Sequence, residues 1–182
     1  VTVVEAADQP GGQIRLTAQS PRRREMIGII DWRMAQCAAR DVTFHFNTWA
    51  DADDITLLAP DVVIVAAGGL PQLRLYEQME DLPHVISAWD ILSGDVKASG
   101  DVLIFDEAGD HAGLQAAEIA ASSASVEVMT PNRSSAPEVM GLNPVPYITT
   151  VQDKDVQMTV CLLYPSAAAD HPTRCPSRGT LT

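Results

Sequence analysis

Asp61–Ala67 reads DVVIVAA, and no other stretch limits the fold as tightly. Side chains of an extended chain alternate between faces, so this run is apolar on both. A strand of that kind is covered on both sides, which is the situation of a central strand in a parallel sheet. It is the longest uninterrupted apolar run here, Val62 to Ala67, and falls far short of the roughly 20 residues a membrane-crossing helix requires. Gly68–Gly69–Leu70–Pro71 then ends it with turn-forming residues.

The same logic finds further strands. Val1–Ala6 is β-branched and ends on an acid, and Val42, Phe44 and Phe46 alternate with Thr43, His45 and Asn47. Between them Asp8–Gly12 is a turn, and Ser20–Pro21 has the chemistry of an N-cap followed by proline at the first helical position. Met26, Ile30, Met34 and Cys37 recur at helical spacing, widened by Ile27, Ile29 and Trp32, which predicts a helix to about Arg40. Asp51–Leu58 is acidic and ambiguous, Pro71–Ser87 is a crossing segment with few order signals, and Ala88–Leu92 is a helical turn. Val102–Phe105, an alanine-rich helix from Gly113 to about Ser122, and Val126–Met129 make a second strand–loop–helix–strand unit. Asn143–Pro146 is expected to be stiff and extended, and Val156–Val160 to be one more strand. The pattern is α/β, with two βαβ-like halves. We expect an incomplete first half over 1–84, a second half over 85–160 and an irregular tail over 161–182.

Charge narrows the partners. The net charge is −12, which disfavours a general nucleic-acid or anionic-membrane surface, since both attract cations. No signal-peptide pattern opens the chain. Cys37, Cys161 and Cys175 are widely spaced and form no CxxC pair, so neither a disulfide framework nor a zinc or iron–sulfur ligand set is expected. A reducing compartment, the cytoplasm, follows as the default.

Several positions carry chemistry. Glu5 ends a strand, where a carboxylate offers acceptors to two neighbouring ribose hydroxyls. A solvated acid is the plain alternative. Gly11–Gly12 follow it, and residues without side chains allow close backbone approach to a ligand, or simply a tight turn. The small residues after the Asp61–Ala67 run would let a cofactor lie against a strand tip. Asp106–Gly113 (DEAGDHAG) stands where a dinucleotide fold places its glycine fingerprint, but only Gly109 and Gly113 are present. Asp106, Glu107 and Asp110 there would repel a phosphate, so a packing role is at least as good a reading. Arg22, Arg23 and Arg24 are either a solvated patch or a contact for an acidic partner or cofactor phosphate. The histidines are scattered, with no metal-ligand spacing.

In order along the chain, VTVVEAADQPGGQ, DVVIVAAGGLP, SAWDILSGDV, VLIFDEAGDHAGLQAAEIA and APEVMGLNPVPY resemble the carboxyl-terminal half of a flavoenzyme family. It is the trimethylamine, dimethylamine and histamine dehydrogenase group, with its 2,4-dienoyl-CoA reductase and N-demethylase relatives. The resemblance runs from Val1 to about Val160. It implies a long parent chain whose amino-terminal (β/α)8 barrel holds FMN and whose 4Fe–4S cluster follows the barrel. Two Rossmann-like domains similar to those of glutathione reductase come next, the first binding FAD or ADP. On that basis Glu5 is the ribose-binding acid, Gly11, Gly12 and Gln13 form the cofactor loop, and Ala67 and Gly68 lie beside the nucleotide. The acidic Asp106–Gly113 loop resembles the degenerate second site of the amine-dehydrogenase branch, whereas the reductase branch carries an NADPH fingerprint.

The resemblance implies a parent that oxidises a small-molecule amine and passes electrons to an external acceptor, with room for a homodimer and no role for nucleic acid or membrane. This chain would supply a nucleotide-binding module and no catalytic residue. The strand and glycine turn expected before Val1 are absent, so we read the chain as a fragment of that parent with its first domain truncated. Cys161–Thr182 leaves the family pattern, as an out-of-frame or divergent end would. Two alternatives are a portion of an NAD(P)H-dependent flavin reductase, and a stand-alone nucleotide-binding or interaction module.

Overall fold

The computed structural model describes residues 1–71, 82–141 and 143–161. The chain divides into two compact units, Val1–Trp89 and Asp90–Thr182.

In the first unit, β1 (Thr2–Val4) and β2 (Thr43–His45) pair in parallel, with Val3 opposite Phe44. The Glu5 amide continues the ladder by donating to the His45 carbonyl at 2.9 Å. Parallel neighbours need a crossover. It consists of α1 (Gln13–Thr17), a 3₁₀ segment (Pro21–Met26) and α2 (Ile27–Ala38). Pro21 stands at the start of its segment as expected, because its fixed φ suits a first turn. Ser20 precedes it in extended backbone, but its hydroxyl makes no capping bond. The α2 stripe is narrower than its periodicity predicts. Ile30 is buried, while Trp32 is 64% exposed. In β2 the predicted alternation holds: Val42, Phe44 and Phe46 are half-buried between exposed Thr43, His45 and Asn47. The rings of Phe44 and Phe46 stack with centroids 5.4 Å apart. The ambiguous acidic segment is α3 (Ala52–Leu57), started by a capping box. The Asp51 carboxylate accepts from the amides of Asp53 and Asp54, and the Asp54 carboxylate accepts from the Asp51 amide.

Asp61–Ala67 is not a strand, contrary to the strongest sequence expectation. Val62 is 75% exposed, and Ile64 and Val65 are each 85% exposed. An extended run is held by its ladder partner and its covering face, not by propensity alone. Here β1 and β2 pair with each other, and neither takes up the run.

The second unit is a three-stranded parallel sheet in the order β3-β4-β5, formed by Gly100–Phe105, Ala124–Thr130 and Gln157–Val160. Helix α5 (His111–Ala120) crosses from β3 to β4, and α6 (Pro144–Asp153) crosses from β4 to β5. The predicted turn at Ala88–Leu92 is α4 (Ala88–Ser93). The central strand buries Val126, Val128 and Thr130, against which the small side chains of Ala116, Ala117 and Ala120 permit close packing. Leu114, Ala136, Val139 and Tyr147 form a buried cluster under α6. Asn143–Pro146 is not extended but opens α6, since proline is tolerated in a first helical turn, where the amides have no intrahelical acceptor. Cys37 is a free thiol, whereas Cys161 is disulfide-bonded, a link that the sparse cysteine spacing gave no reason to expect. Most of the crossing segment and the proline-rich tail lie outside the described residues.

The architecture is therefore α/β with parallel sheets, consistent with a nucleotide-binding fold. Among the described residues no helix is long and apolar enough to cross a membrane.

Candidate functional site

Ligands of open α/β sheets lie at the carboxyl ends of parallel strands. In the first unit that end is formed by Glu5, one residue beyond β1, and the loop that follows. The backbone around Glu5 is fixed on both sides. Its amide donates to His45, its carbonyl accepts from the Thr48 amide at 3.0 Å, and the Ala7 carbonyl accepts from the Asn47 amide at 2.9 Å. One carboxylate oxygen, Oε1, accepts from the Ala7 amide at 3.0 Å. The other makes no hydrogen bond among the described residues, so it is available as an acceptor.

The two glycines that follow differ. Gly11 has φ +122, and a Cβ there would stand 2.2 Å from Ile30 Cδ1. It is glycine because the loop presses against α2. Gly12 has φ +44 and precedes Gln13 at the start of α1, with nothing within 4 Å of where its Cβ would be. That open side is the part of the loop a ligand can approach. Arg15 Nε donates to the Pro10 carbonyl at 2.6 Å, which closes the loop onto α1. Glu5, Gly11, Gly12 and Gln13 thus share one segment at the strand end. Ala67 and Gly68 do not sit at a strand tip, because no strand precedes them; both are exposed in the irregular run.

In the second unit, the turn between β3 and α5 carries a buried acid, Asp106. Asp106 is 4% exposed. Burial pushes its carboxyl above the usual carboxylate range; the bond from Gly109 pulls it back and the nearby charge of Asp110 adds to the rise. Asp110 caps α5 by accepting from the Ala112 amide at 2.7 Å. His111 Nδ1 lies 3.3 Å from the buried hydroxyl of Tyr147. An apolar hollow lined by Leu114, Ile148, Val151, Val156 and Met158 carries no charged group and suits packing rather than proton chemistry. No cluster of metal-ligating side chains occurs among the described residues. Sequence patterns located the acids of the β3–α5 turn and read them together, as charge that repels a phosphate or as a packing turn. Nothing in the pattern separated buried Asp106 from exposed Glu107 and Asp110.

No family model matches the chain. It is 62% identical over 161 residues to a probable N-methylproline demethylase of Rhizobium meliloti, covering 88% of this chain and 24% of that protein. It is 39% identical over 165 residues to an N,N-dimethylglycine/sarcosine dehydrogenase of Chromohalobacter salexigens, covering 87% of this chain and 24% of the relative. Among solved structures, a 2-naphthoyl-CoA reductase in complex with 2-naphthoyl-CoA superposes with TM-score 0.80 at 27% identity. That match covers 88% of this chain and 24% of the reductase. The chain thus spans about a quarter of the length of the relatives it matches. These relatives are a demethylase, a dehydrogenase and a reductase, which fits the oxidoreductase family that the sequence motifs resemble.

Proposed function

We propose that this chain is the nucleotide-binding portion of a flavin-dependent oxidoreductase that oxidises or demethylates N-methylated amino acids. The observation that carries the reading is the 62% identity to the probable N-methylproline demethylase over 161 residues. The first unit has residues that fit an ADP moiety, whether of FAD or of ADP itself. The free carboxylate oxygen of Glu5 is an acceptor for a ribose hydroxyl, and its charge disfavours a phosphate on the same ribose. The open side of Gly12 and the neighbouring Gln13 give the ligand a path to the backbone. Ala67 and Gly68 join the site in this reading only if the 61–67 run pairs in the longer protein.

A flavin held elsewhere in that protein would accept electrons from the amine, and FMN and an iron–sulfur centre would reside outside this chain. In this reading the residues of the first unit bind and orient the nucleotide. The alternative, a portion of an NAD(P)H-dependent flavin reductase, draws support from the likeness to 2-naphthoyl-CoA reductase. The experiment is to purify the full-length protein and assay formaldehyde release from N-methylproline, dimethylglycine and sarcosine beside NADPH oxidation. Formaldehyde release without NADPH oxidation supports the proposal. NADPH oxidation without demethylation overturns it in favour of the reductase.

A further inference from the structure

The β3–α5 turn and the first turn of α5 hold one glycine each, and this chain itself fills the space that each one leaves. Gly109 has φ +66, and a Cβ there would meet Pro137 Cδ at 2.5 Å. Its amide donates to Asp106 Oδ1 at 2.9 Å, and its carbonyl accepts from the Glu138 amide at 3.0 Å. Asn132 Nδ2 donates to the Glu107 carbonyl at 3.3 Å, so contacts from the 132–138 segment reach both sides of the turn. Gly113 is the third residue of α5, and a Cβ there would stand 2.9 Å from Asp106 Cγ and 3.0 Å from Oδ1. Asp106 Oδ2 is buried and makes no hydrogen bond among the described residues.

In a dinucleotide fold, glycines at such a turn let phosphate oxygens come close to the first helical amides, where the helix dipole favours negative charge. Here a carboxyl from the end of β3 rests against that first turn instead. The dipole and the Gly109 amide hold it there, and the cost is an oxygen buried without a partner. We infer that Asp106 is an internal stopper: its side chain occupies the volume beside Gly113 that a ligand phosphate needs, and so the second unit is closed to dinucleotides. The exclusion is one of volume and not only of charge. This inference concerns the second unit and stands whether or not the first unit binds ADP.

The test uses the full-length protein and inorganic pyrophosphate as the probe, titrated calorimetrically. Asp106→Ala should bind pyrophosphate about tenfold or more tightly than wild type, equivalent to roughly 1.4 kcal/mol. Asp106→Asn removes the charge but keeps the volume, so its gain should fall well short of that of Asp106→Ala. Adding Gly113→Ala to Asp106→Ala refills the space and should abolish the gain, which a merely structural role for Asp106 would not do. Should Asp106→Ala fail to fold, Asp106→Ser, whose hydroxyl can still accept from the Gly109 amide, replaces it with the same expected gain. No gain in a folded small-residue variant overturns the stopper. An equal gain in Asp106→Asn also overturns it, in favour of charge repulsion alone.

Discussion

The carboxyl carbon of Asp106 lies 2.9 Å from the point where a side chain on Gly113 would begin. A strand end and a helix start are therefore fitted to each other across the β3–α5 turn, and neither residue can grow without displacing the other. Gly113→Ala should destabilise the second unit by about 1–3 kcal/mol, the usual cost of overpacking a tight interior contact. Chemical denaturation would read this as a lower midpoint with an unchanged slope. A midpoint equal to wild type would mean that Asp106 is free to move aside.

The raised carboxyl of Asp106 sets a direction for stability against pH. Its pKa is higher in the folded chain than in the unfolded one, chiefly through burial, with Asp110 adding to the effect. Above the folded value both states are ionised, and the native state bears a buried charge. As pH falls through that value toward the ordinary carboxylate value, the native state takes up a proton first. The contribution of this group to stability therefore rises as pH falls through that window, and is lost as pH rises back through it. Asp106→Asn should remove this component. Parallel thermal melts of wild type and variant across mildly acidic to neutral pH would show it as converging curves at the acid end.

Gly11 is held by geometry of the same kind. With φ +122 and Ile30 Cδ1 2.2 Å from its absent Cβ, Gly11→Ala should cost about 1–3 kcal/mol. Ile30→Val in the same background should recover part of that loss by removing the clashing methyl. A double-mutant cycle on the full-length protein measures the coupling, and strictly additive effects would contradict the contact.

Helix α3 depends on its start. Asp51→Ala removes both bonds to the amides of Asp53 and Asp54 and should destabilise the helix by about 1 kcal/mol. Hydrogen exchange at those two amides should quicken, with little change at the amides of β1 and β2.

Much of this was legible in the sequence. The alternation at Val42–Phe46, the alanine-rich α5 and the strands at β3, β4 and β5 follow from period and composition, and all are present. The Asp61–Ala67 run failed because a strand needs a partner, and pairing is not written in the strand itself. Asn143–Pro146 failed because proline suits both an extended stretch and a helix start, and only the following residues of α6 decide between them. In the candidate site, Glu5 and the Gly11–Gln13 loop share one segment after β1. The roles of the glycines were not legible. Gly11 answers to Ile30, Gly109 to Pro137 and Gly113 to Asp106, contacts that become visible only once the chain has folded back on itself.

The central proposal is that Glu5 holds a nucleotide in the full-length protein. The most direct measurement is the adenine nucleotide released on denaturing the purified protein, per chain, for wild type and Glu5→Ala. The account predicts close to one nucleotide per wild-type chain, and a loss of most of it in a variant that still melts cooperatively. An undiminished nucleotide content in Glu5→Ala, or none in wild type, would contradict it.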